Sequence, residues 1–351
     1  MEHPEHLAAW LTAHLDDADD VTVGTVETPT GGYSAETLIV PITVTRHGVT
    51  TDEQVVVRRE MPEPPVYPVQ VPVENEIEIQ WKVMSALVAQ QDTAAVPIAP
   101  LLGYETDPSV LGSPFFVMGF IGGEIPREDP LYVAEGFYVD AEPAQRSAMI
   151  RGGIEVMAGI HAVDVAAAGL DWLAPEGSVN DGRRQLRIWR DYAERELDGR
   201  PHPLMLAAFD RLEDELPAGG APVLNWGDAR LGNVIWDDFA PACVTDFEAA
   251  SIGPAEMDVG WWIMFEQWAH VGAGVDRHPG TLPVAEQLAH YEAVSGRTLE
   301  PIDPWVLFAA TRYAAIVVRV MNRMVQRGLL PPEQTLYLDP IDATLRPLVE
   351  R

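Results

Sequence analysis

Val223–Glu248 reads VLNWGDARLGNVIWDDFAPACVTDFE, and the rest of the chain is organised around it. Three polar side chains stand out: Asp228, Asn233 five residues on, and Asp246 after a short apolar run. Phosphoryl transfer needs a carboxylate that orients a hydroxyl and accepts its proton. It also needs oxygen ligands that hold a metal ion against triphosphate oxygens. Asp228 has the first character; Asn233 and Asp246 have the second. Asp237 and Asp238 fall at the turn between the expected strands 234–236 and 242–246, where aspartate suits a turn, so they carry no chemical assignment. An Asp and an Asn five apart are a weak signal in a chain with 54 acidic residues, so their surroundings must decide.

The chain has 351 residues and is 47% hydrophobic, enough for one large domain or two lobes. Against those 54 acids stand 23 basic residues, a formal charge of -31, which opposes non-specific binding to nucleic acid or anionic membrane. Solubility or adaptation to salt is the plain reading of that charge; attraction of a cationic substrate is the functional one. Lys82 is the one lysine, so a site that ordinarily employs lysine must here use arginine. The single cysteine, Cys243, excludes a disulfide framework or a cysteine-rich zinc site and reads as a small buried hydrophobe. The N-terminus is acidic, without a secretory signal, and no apolar run approaches the roughly 20 residues of a membrane span. A soluble, cytoplasmic protein is expected.

Upstream of the central stretch, residues 4–15 place Leu7, Trp10, Leu11 and Leu15 on one helical face. Residues 21–59 read as strand, Gly-rich turn, strand, turn, strand: an antiparallel meander. The turn contains Gly31, Gly32 and Ser34. In the third strand Val55, Val57 and Arg59 share a face, because side chains alternate. This predicts Arg59 in a cleft and Arg58 pointing outward; the plainer alternative makes both solvated edge charges. Residues 61–73 are proline-rich and irregular. Residues 76–90 form a helix carrying Gln80, and the apolar run 115–121 is a buried strand that ends at Gly122 and Gly123, a natural hinge. The expected division is 1–118, a hinge at 119–124, and 125–351.

Beyond the hinge the apolar period becomes helical. His161 near the end of the helix 144–163 reads as a helix-terminal or core histidine. The helix 180–197 bears Arg183, Arg184, Arg187, Arg190 and Arg195, which stand out in so acidic a chain. A solvated face paired with nearby acids accounts well for Arg190 and Arg195, and less well for the other three. A long apolar helix, 304–327, places Arg312, Arg319 and Arg323 close to one face. No internal repeat or low-complexity segment is present.

From about residue 20 to 330 the order of elements and motifs resembles the aminoglycoside phosphotransferase family, the small-molecule kinases related to protein kinases. WGDARLGN followed by TDFEAASIGPAEMD resembles its catalytic segment, and Pro254 to Asp258 matches an acidic helix start that braces the loop. GGYSAET, VVVRREMP and SPFFVMGFIGGE resemble its phosphate-covering turn, its basic strand and its adenine-bracketing strand. The nearest branch resembles the kinase-like domain of acyl-CoA dehydrogenase fusion proteins, with Gln185 and Trp189 at matching positions of an arginine-rich helix.

The resemblance implies a bilobal, protein-kinase-like α+β fold, with an N-terminal antiparallel sheet plus helix and a larger, mostly helical C-terminal lobe. It implies ATP and Mg²⁺ as cofactors, Asp228 as catalytic base, and Asn233 and Asp246 as metal ligands. Arg59 takes the nucleotide-binding lysine's place. Gly31, Gly32 and Ser34 cover the phosphates, and Gly119, Phe120 and Ile121 meet adenine. Four departures matter. Trp226 replaces a histidine, Arg59 a lysine, and Gln80 the glutamate that pairs with that lysine; Glu248 stands where a flipping switch has glycine. The acceptor is expected to be a small molecule bearing a hydroxyl. The acidic chain favours an aminoglycoside; the branch favours a hydroxyacyl-CoA or another metabolite, which Arg183, Arg184, Arg187 and Arg319 could meet. A nucleotide-binding pseudokinase without turnover is the alternative of a different class. Oligomeric state and the choice between ATP and GTP stay open.

Overall fold

The computed structural model describes residues 4–27, 35–73, 75–91, 96–334 and 339–351, so the turn with Gly31, Gly32 and Ser34 lies outside the described residues. In chain order the first elements are α1 (Pro4–His14), β1 (Asp20–Val23), β2 (Glu36–Arg46), β3 (Val49–Arg59), α2 (Glu76–Ala89), β4 (Leu101–Glu105), α3 (Pro108–Leu111) and β5 (Phe115–Gly119). There follow α4 (Phe137–Asp140), α5 (Pro143–His161), α6 (Gly182–Leu197), α7 (Pro203–Glu215), β6 (Val223–Asn225), β7 (Val234–Asp237), β8 (Ala240–Val244) and β9 (Ser251–Gly253). The chain closes with α8 (Glu256–Ala273), α9 (Val284–Ser295), α10 (Asp303–Gln326) and α11 (Asp339–Val349). This is the expected bilobal, kinase-like α+β arrangement: one antiparallel sheet, ordered β1-β2-β3-β5-β4, followed by a mostly helical region that carries, among the described residues, the small antiparallel pairs β6-β9 and β7-β8.

Both faces of the five-stranded sheet are covered, and this decides which arginine reaches the cleft. Leu38, Val40, Ile42 and Val44 of β2 are buried with Val55 and Val57 opposite them in register, on one face. Helix α1 lies on that side, where Trp10 meets Phe115 at 5.2 Å and its indole N–H bonds Glu105 at 3.0 Å. The opposite face carries Arg58, Thr37 and Phe116, which are aligned across three strands. There Trp81 of α2 packs on Phe116 at 6.0 Å. The alternation read from the sequence is right, but the face with Val55 and Val57 is the α1 side, not the cleft.

Helix α2 starts without a side-chain cap from Asn75. The Glu60 carboxylate, just past the end of β3, accepts from the backbone N–H groups of Glu76 at 3.0 Å and Ile77 at 2.9 Å. That satisfies two of the donors that a helix start leaves unpaired and places negative charge at the positive end of its dipole. Helix α10 is the axis of the helical region, packed by α6, α7, α8 and α11. Among the described residues it is long and apolar enough to cross a membrane by length and composition, which corrects the expectation that no run approaches that size. Its most apolar window is 83% buried within the protein, as in a core helix.

Candidate active site

Strands β6 and β9 pair antiparallel and bring the start of the loop 226–233 beside the start of α8. Asp258, in the first turn of α8, is wholly buried. It accepts from the backbone N–H groups of Trp226 at 2.6 Å and Gly227 at 3.0 Å, and from His161 Nε2 at 3.0 Å. The other ring nitrogen of His161 lies 2.7 Å from the Tyr291 hydroxyl. His161 is therefore a core histidine that supports the brace. Gly227 has φ +92, and a Cβ there would lie 2.1 Å from the Ala249 carbonyl oxygen, so glycine is required at the bend into Asp228. Trp226, at the usual histidine's position, donates its indole N–H to the Thr245 carbonyl at 2.9 Å and so ties the loop to the segment carrying Asp246.

Asp228 is 4% exposed and its carboxylate is held from several sides. Oδ1 accepts from the Trp261 indole at 2.8 Å and Oδ2 from the Asn233 amide at 2.8 Å. Arg230 Nε reaches both oxygens, at 3.1 and 3.0 Å, and its other end pairs with Glu128. Burial opposes the Arg230 charge, but Asp228 and Glu128 outweigh it and hold the guanidinium above its ordinary value. A hydroxyl completes the set: Tyr67 Oη donates to Oδ2 at a longer 3.4 Å. Burial first, then the carboxylates of Asp228, Glu248 and Asp246, push that phenol well above its ordinary value, so it stays protonated.

Asp246 follows β8 by two residues instead of ending it, with φ +67. The β7–β8 turn is centred on Asp238 and Phe239, both with positive φ, one residue later than read from the sequence. Across the cleft, Arg58 Nη2 donates to Asp246 Oδ1 at 3.1 Å and to Gln80 Oε1 at 3.4 Å, while Nη1 bonds Thr37 Oγ1 at 2.6 Å. Arg59 instead pairs with Glu36 at the sheet rim and donates to the Leu111 carbonyl at 2.9 Å. The expected orientations of the two arginines are thus reversed. Gln80 meets Arg58 as a neutral acceptor, and Gln80 Nε2 and Arg58 Nε are buried without partners among the described residues.

The Asn233 amide nitrogen is spent on Asp228, on its carboxylate and its backbone carbonyl, which turns the amide oxygen the other way. With Asp246 this makes a pair of oxygen donors of the kind Mg²⁺ takes alongside phosphate oxygens and water. The described residues hold no cluster of three or more His, Cys, Asp or Glu side chains able to bind a metal by themselves. At the end of β5, the N–H groups of Gly119 and Phe120 are committed to the carbonyls of Pro100 at 2.8 Å and Gln54 at 3.3 Å, whereas among the described residues no such backbone bond ties the Ile121 N–H.

The four arginines expected to meet a substrate are scattered. Arg183 and Arg187 are exposed on α6. Arg184 donates to Gln70 Oε1 at 3.3 Å. Arg319 is spent on the carbonyls of Pro65 at 3.0 Å and Pro64 at 2.7 Å, inside the protein and away from Asp228, which corrects its assignment. Arg312, from the same helix, is the one that nears the site. It is 1% exposed, stacked on Trp189 at 4.5 Å and on Trp261 at 4.6 Å, and donates to the Gly227 carbonyl at 3.3 Å. Burial pushes its pKa down to about 10, against the pull of Asp258, Tyr67 and Asp228. Sequence reasoning missed Arg230, Trp261 and Tyr67. Arg230 stands two residues after Asp228 in the quoted motif, and Trp261 stands one helical turn after Asp258. Tyr67 carried no local signal, since it lies in an irregular segment far from the loop in sequence.

A model described as the phosphotransferase enzyme family matches residues 31–304. A solved structure from Ralstonia eutropha, assigned as an aminoglycoside phosphotransferase, superposes with a TM-score of 0.70 at 24% identity, covering 99% of this chain and 95% of its own. A thermostable mutant of aminoglycoside phosphotransferase APH(4)-Ia, in a ternary complex with ADP and hygromycin B, gives 0.55 at 14% identity, covering 93% and 94%. Both likenesses are of fold. A curated relative, "Probable acyl-CoA dehydrogenase IBR3" of Arabidopsis thaliana, is 27% identical over 270 residues, which are 71% of this chain and 31% of that protein. The chain thus spans less than a third of that relative's length, in agreement with the resemblance to a domain of acyl-CoA dehydrogenase fusion proteins.

Proposed function

Because the chain belongs to the phosphotransferase enzyme family, we propose that it is an ATP-dependent small-molecule kinase that transfers the γ-phosphoryl group to a substrate hydroxyl. One observation carries this reading. Asp228 is bonded by Trp261, Asn233 and Arg230 while Asp246 pairs with Arg58 of the sheet, contacts that support the assembly phosphoryl transfer needs. In this reading residues 1–118 hold nucleotide, 119–124 are the hinge, and 125–351 carry catalysis.

ATP with Mg²⁺, when bound, supplies the phosphoryl group and much of the charge neutralisation. Asn233 and Asp246 would hold the metal; Arg58 takes the phosphate-facing role expected of Arg59. Asp228 orients the acceptor hydroxyl and takes its proton. The fixed donors around it keep the carboxylate aimed without reorganisation, which is where positioning catalysis gains its rate. Arg230 stays charged beside it and balances the buried carboxylate.

A second reading of the acceptor, a hydroxyacyl-CoA or another metabolite, is favoured by the relative named as an acyl-CoA dehydrogenase and by the exposed Arg183 and Arg187 on α6. The decisive experiment is Asp228→Ala. ADP·Mg²⁺ affinity by calorimetry should stay within about threefold of wild type. Phosphate transfer in a screen of aminoglycosides, macrolides, hydroxy acids and CoA thioesters should vanish. Equal turnover in the variant sinks the assignment of Asp228. Nucleotide binding without turnover in the wild type, on every acceptor and on water, establishes the pseudokinase reading instead.

A further inference from the structure

Helix α10 turns three arginines into the protein, and two of them are accounted for by carbonyls. Arg319 donates to Pro65 at 3.0 Å and Pro64 at 2.7 Å, and Arg323 also bonds Pro64. With the Tyr192 hydroxyl of α6 on the Val66 carbonyl, these bonds fasten the proline-rich segment, and Tyr67 with it, to the helical lobe. Arg312 has no such set. Its Nη2 donates to the Gly227 carbonyl at 3.3 Å, while Nε and Nη1 have no hydrogen-bond partner among the described residues. A guanidinium that is 1% exposed and makes one long bond is expensive, and an apolar side chain of similar volume fills such a space without that cost. Packing alone therefore does not account for an arginine here.

What surrounds the charge is aromatic. The guanidinium lies 4.5 Å from the ring centroid of Trp189, 4.6 Å from that of Trp261 and 5.7 Å from that of Phe308. Trp261 is also the donor to Asp228 Oδ1, at 2.8 Å. A cation over an indole face draws on its π electrons and makes the ring N–H a stronger donor, and the low dielectric of a buried site strengthens both interactions. Of the short bonds to Asp228, those from Asn233 and Arg230 come from its own loop. The Trp261 bond is the one that ties the carboxylate to α8. Arg312 thus touches that donor and, at Gly227, the backbone just before the carboxylate. It stays charged at neutral pH, because burial lowers its pKa only to about 10.

We infer that Arg312 is a positioning residue for phosphoryl transfer: its charge, acting through the Trp261 indole and aimed by the bond to Gly227, fixes the direction of the Asp228 carboxylate. The inference rests on the phosphotransfer reading for what Asp228 does, but not for how Asp228 is oriented. The competing account makes Arg312 a counter-ion of Asp258, the carboxylate that pulls on it most. Asp258, however, is already met by the Trp226 and Gly227 N–H groups and by His161, and among the described residues no hydrogen bond joins it to Arg312. The two accounts differ in the partner to which Arg312 is coupled, and coupling is measurable.

The test uses the full chain with ATP·Mg²⁺ and water as the phosphoryl acceptor, giving ADP and inorganic phosphate. Arg312→Met, Trp261→Phe and the double variant form a cycle. Arg312→Met should lower kcat at least fivefold and leave KM for ATP within twofold of wild type, since a misaimed carboxylate costs turnover without touching the nucleotide. The double variant should fall no more than twofold below Trp261→Phe. Arg312→Gln, which removes the charge but keeps a polar amide, should match Arg312→Met. On ¹⁵N-labelled protein the Trp261 indole resonance is identified by its disappearance in Trp261→Phe. It should move upfield in Asp228→Asn and in the same direction in Arg312→Met. Losses that multiply in the double variant overturn the inference, as does an unmoved Trp261 resonance or wild-type kcat in a folded Arg312→Met or Arg312→Gln. Loss of the native state in both Arg312 variants, seen in urea melts, also overturns it and makes Arg312 a structural counter-ion. Absent ATP hydrolysis in the wild type removes the phosphotransfer reading, and the Trp261 resonance then decides by itself whether Arg312 orients Asp228.

Discussion

Arg58 and Arg59 are adjacent, identical in chemistry and opposite in environment, so substituting each separately isolates the effect of side-chain direction. Arg58 meets Asp246 at 3.1 Å with the two side chains 14% and 24% exposed, and it also holds Gln80 and Thr37. Arg59 meets Glu36 at the rim, where the side chains are 30% and 28% exposed. A charge-assisted hydrogen bond in a partly buried site is worth about 1.5–3 kcal/mol, whereas an exposed pair contributes about 0.2–1 kcal/mol. If Arg58 gives one such bond to the nucleotide phosphates, Arg58→Met should weaken ADP·Mg²⁺ binding by about 10- to 150-fold, at about 1.4 kcal/mol per decade. Arg59→Met should change binding less than about threefold and lower stability by no more than about 1 kcal/mol. Isothermal titration calorimetry on both variants, with thermal melts as a folding check, measures this. A tenfold loss in Arg59→Met with Arg58→Met near wild type would refute the facing assigned here and restore the opposite one.

Two further outcomes follow from the same contacts. Glu76 is 8% exposed, and burial, with Glu60 next, raises its pKa from 4.5 to about 7. An acid whose folded pKa exceeds its unfolded one is best accommodated below the unfolded value, and its contribution declines as pH rises through the folded value. Glu76→Gln should therefore raise stability relative to wild type at pH 8, by an amount on the order of 3 kcal/mol at most, and change it little at pH 4.5; equal differences at both pH values in urea melts contradict this. Asp258→Asn removes the carboxylate that receives two loop N–H groups and His161, and should cost about 2–4 kcal/mol in urea unfolding as well as most of the turnover; a loss under 0.5 kcal/mol would show that the loop holds itself.

The periodicities were enough to place the sheet, α2 and the long helix around the quoted stretch, because both apolar alternation and helical spacing are local. The direction of Arg58 and Arg59 was not local. It depends on α1 covering the face with Val55 and Val57, and nothing within β3 reports which face α1 chooses. Arg319 illustrates the same limit. Its spacing from Arg312 and Arg323 put all three close to one face of α10, yet the proline-rich segment captures Arg319 and Arg323, while Trp189 and Trp261 capture Arg312. The contact of Asn233 with Asp228 was legible because five residues of one short loop separate them. Tyr67 was not, since 161 residues separate it from the carboxylate that it meets.

That separation bears on how the site is assembled. The pair Arg58–Asp246 joins the sheet to the helical lobe, and its partners are partly exposed. The contacts that aim Asp228 are of another kind: Trp261, Asn233 and Arg230 all belong to the helical lobe, and the segment bearing Tyr67 is fastened to that lobe as well. Arg312 links these parts. It stacks on Trp261, which bonds Asp228, and on Trp189 of α6, while bonding the Gly227 carbonyl just before Asp228. A guanidinium wholly enclosed by aromatic rings costs desolvation, and its lowered pKa registers that cost. Methionine would fill much of the volume and relieve the charge, but it would remove the bond to Gly227 and the planar surface that both indoles share. In the proposed reading the carboxylate of Asp228 is thus held by one stack within the helical lobe, and nucleotide handling would fall to the Arg58–Asp246 contact between sheet and helical lobe.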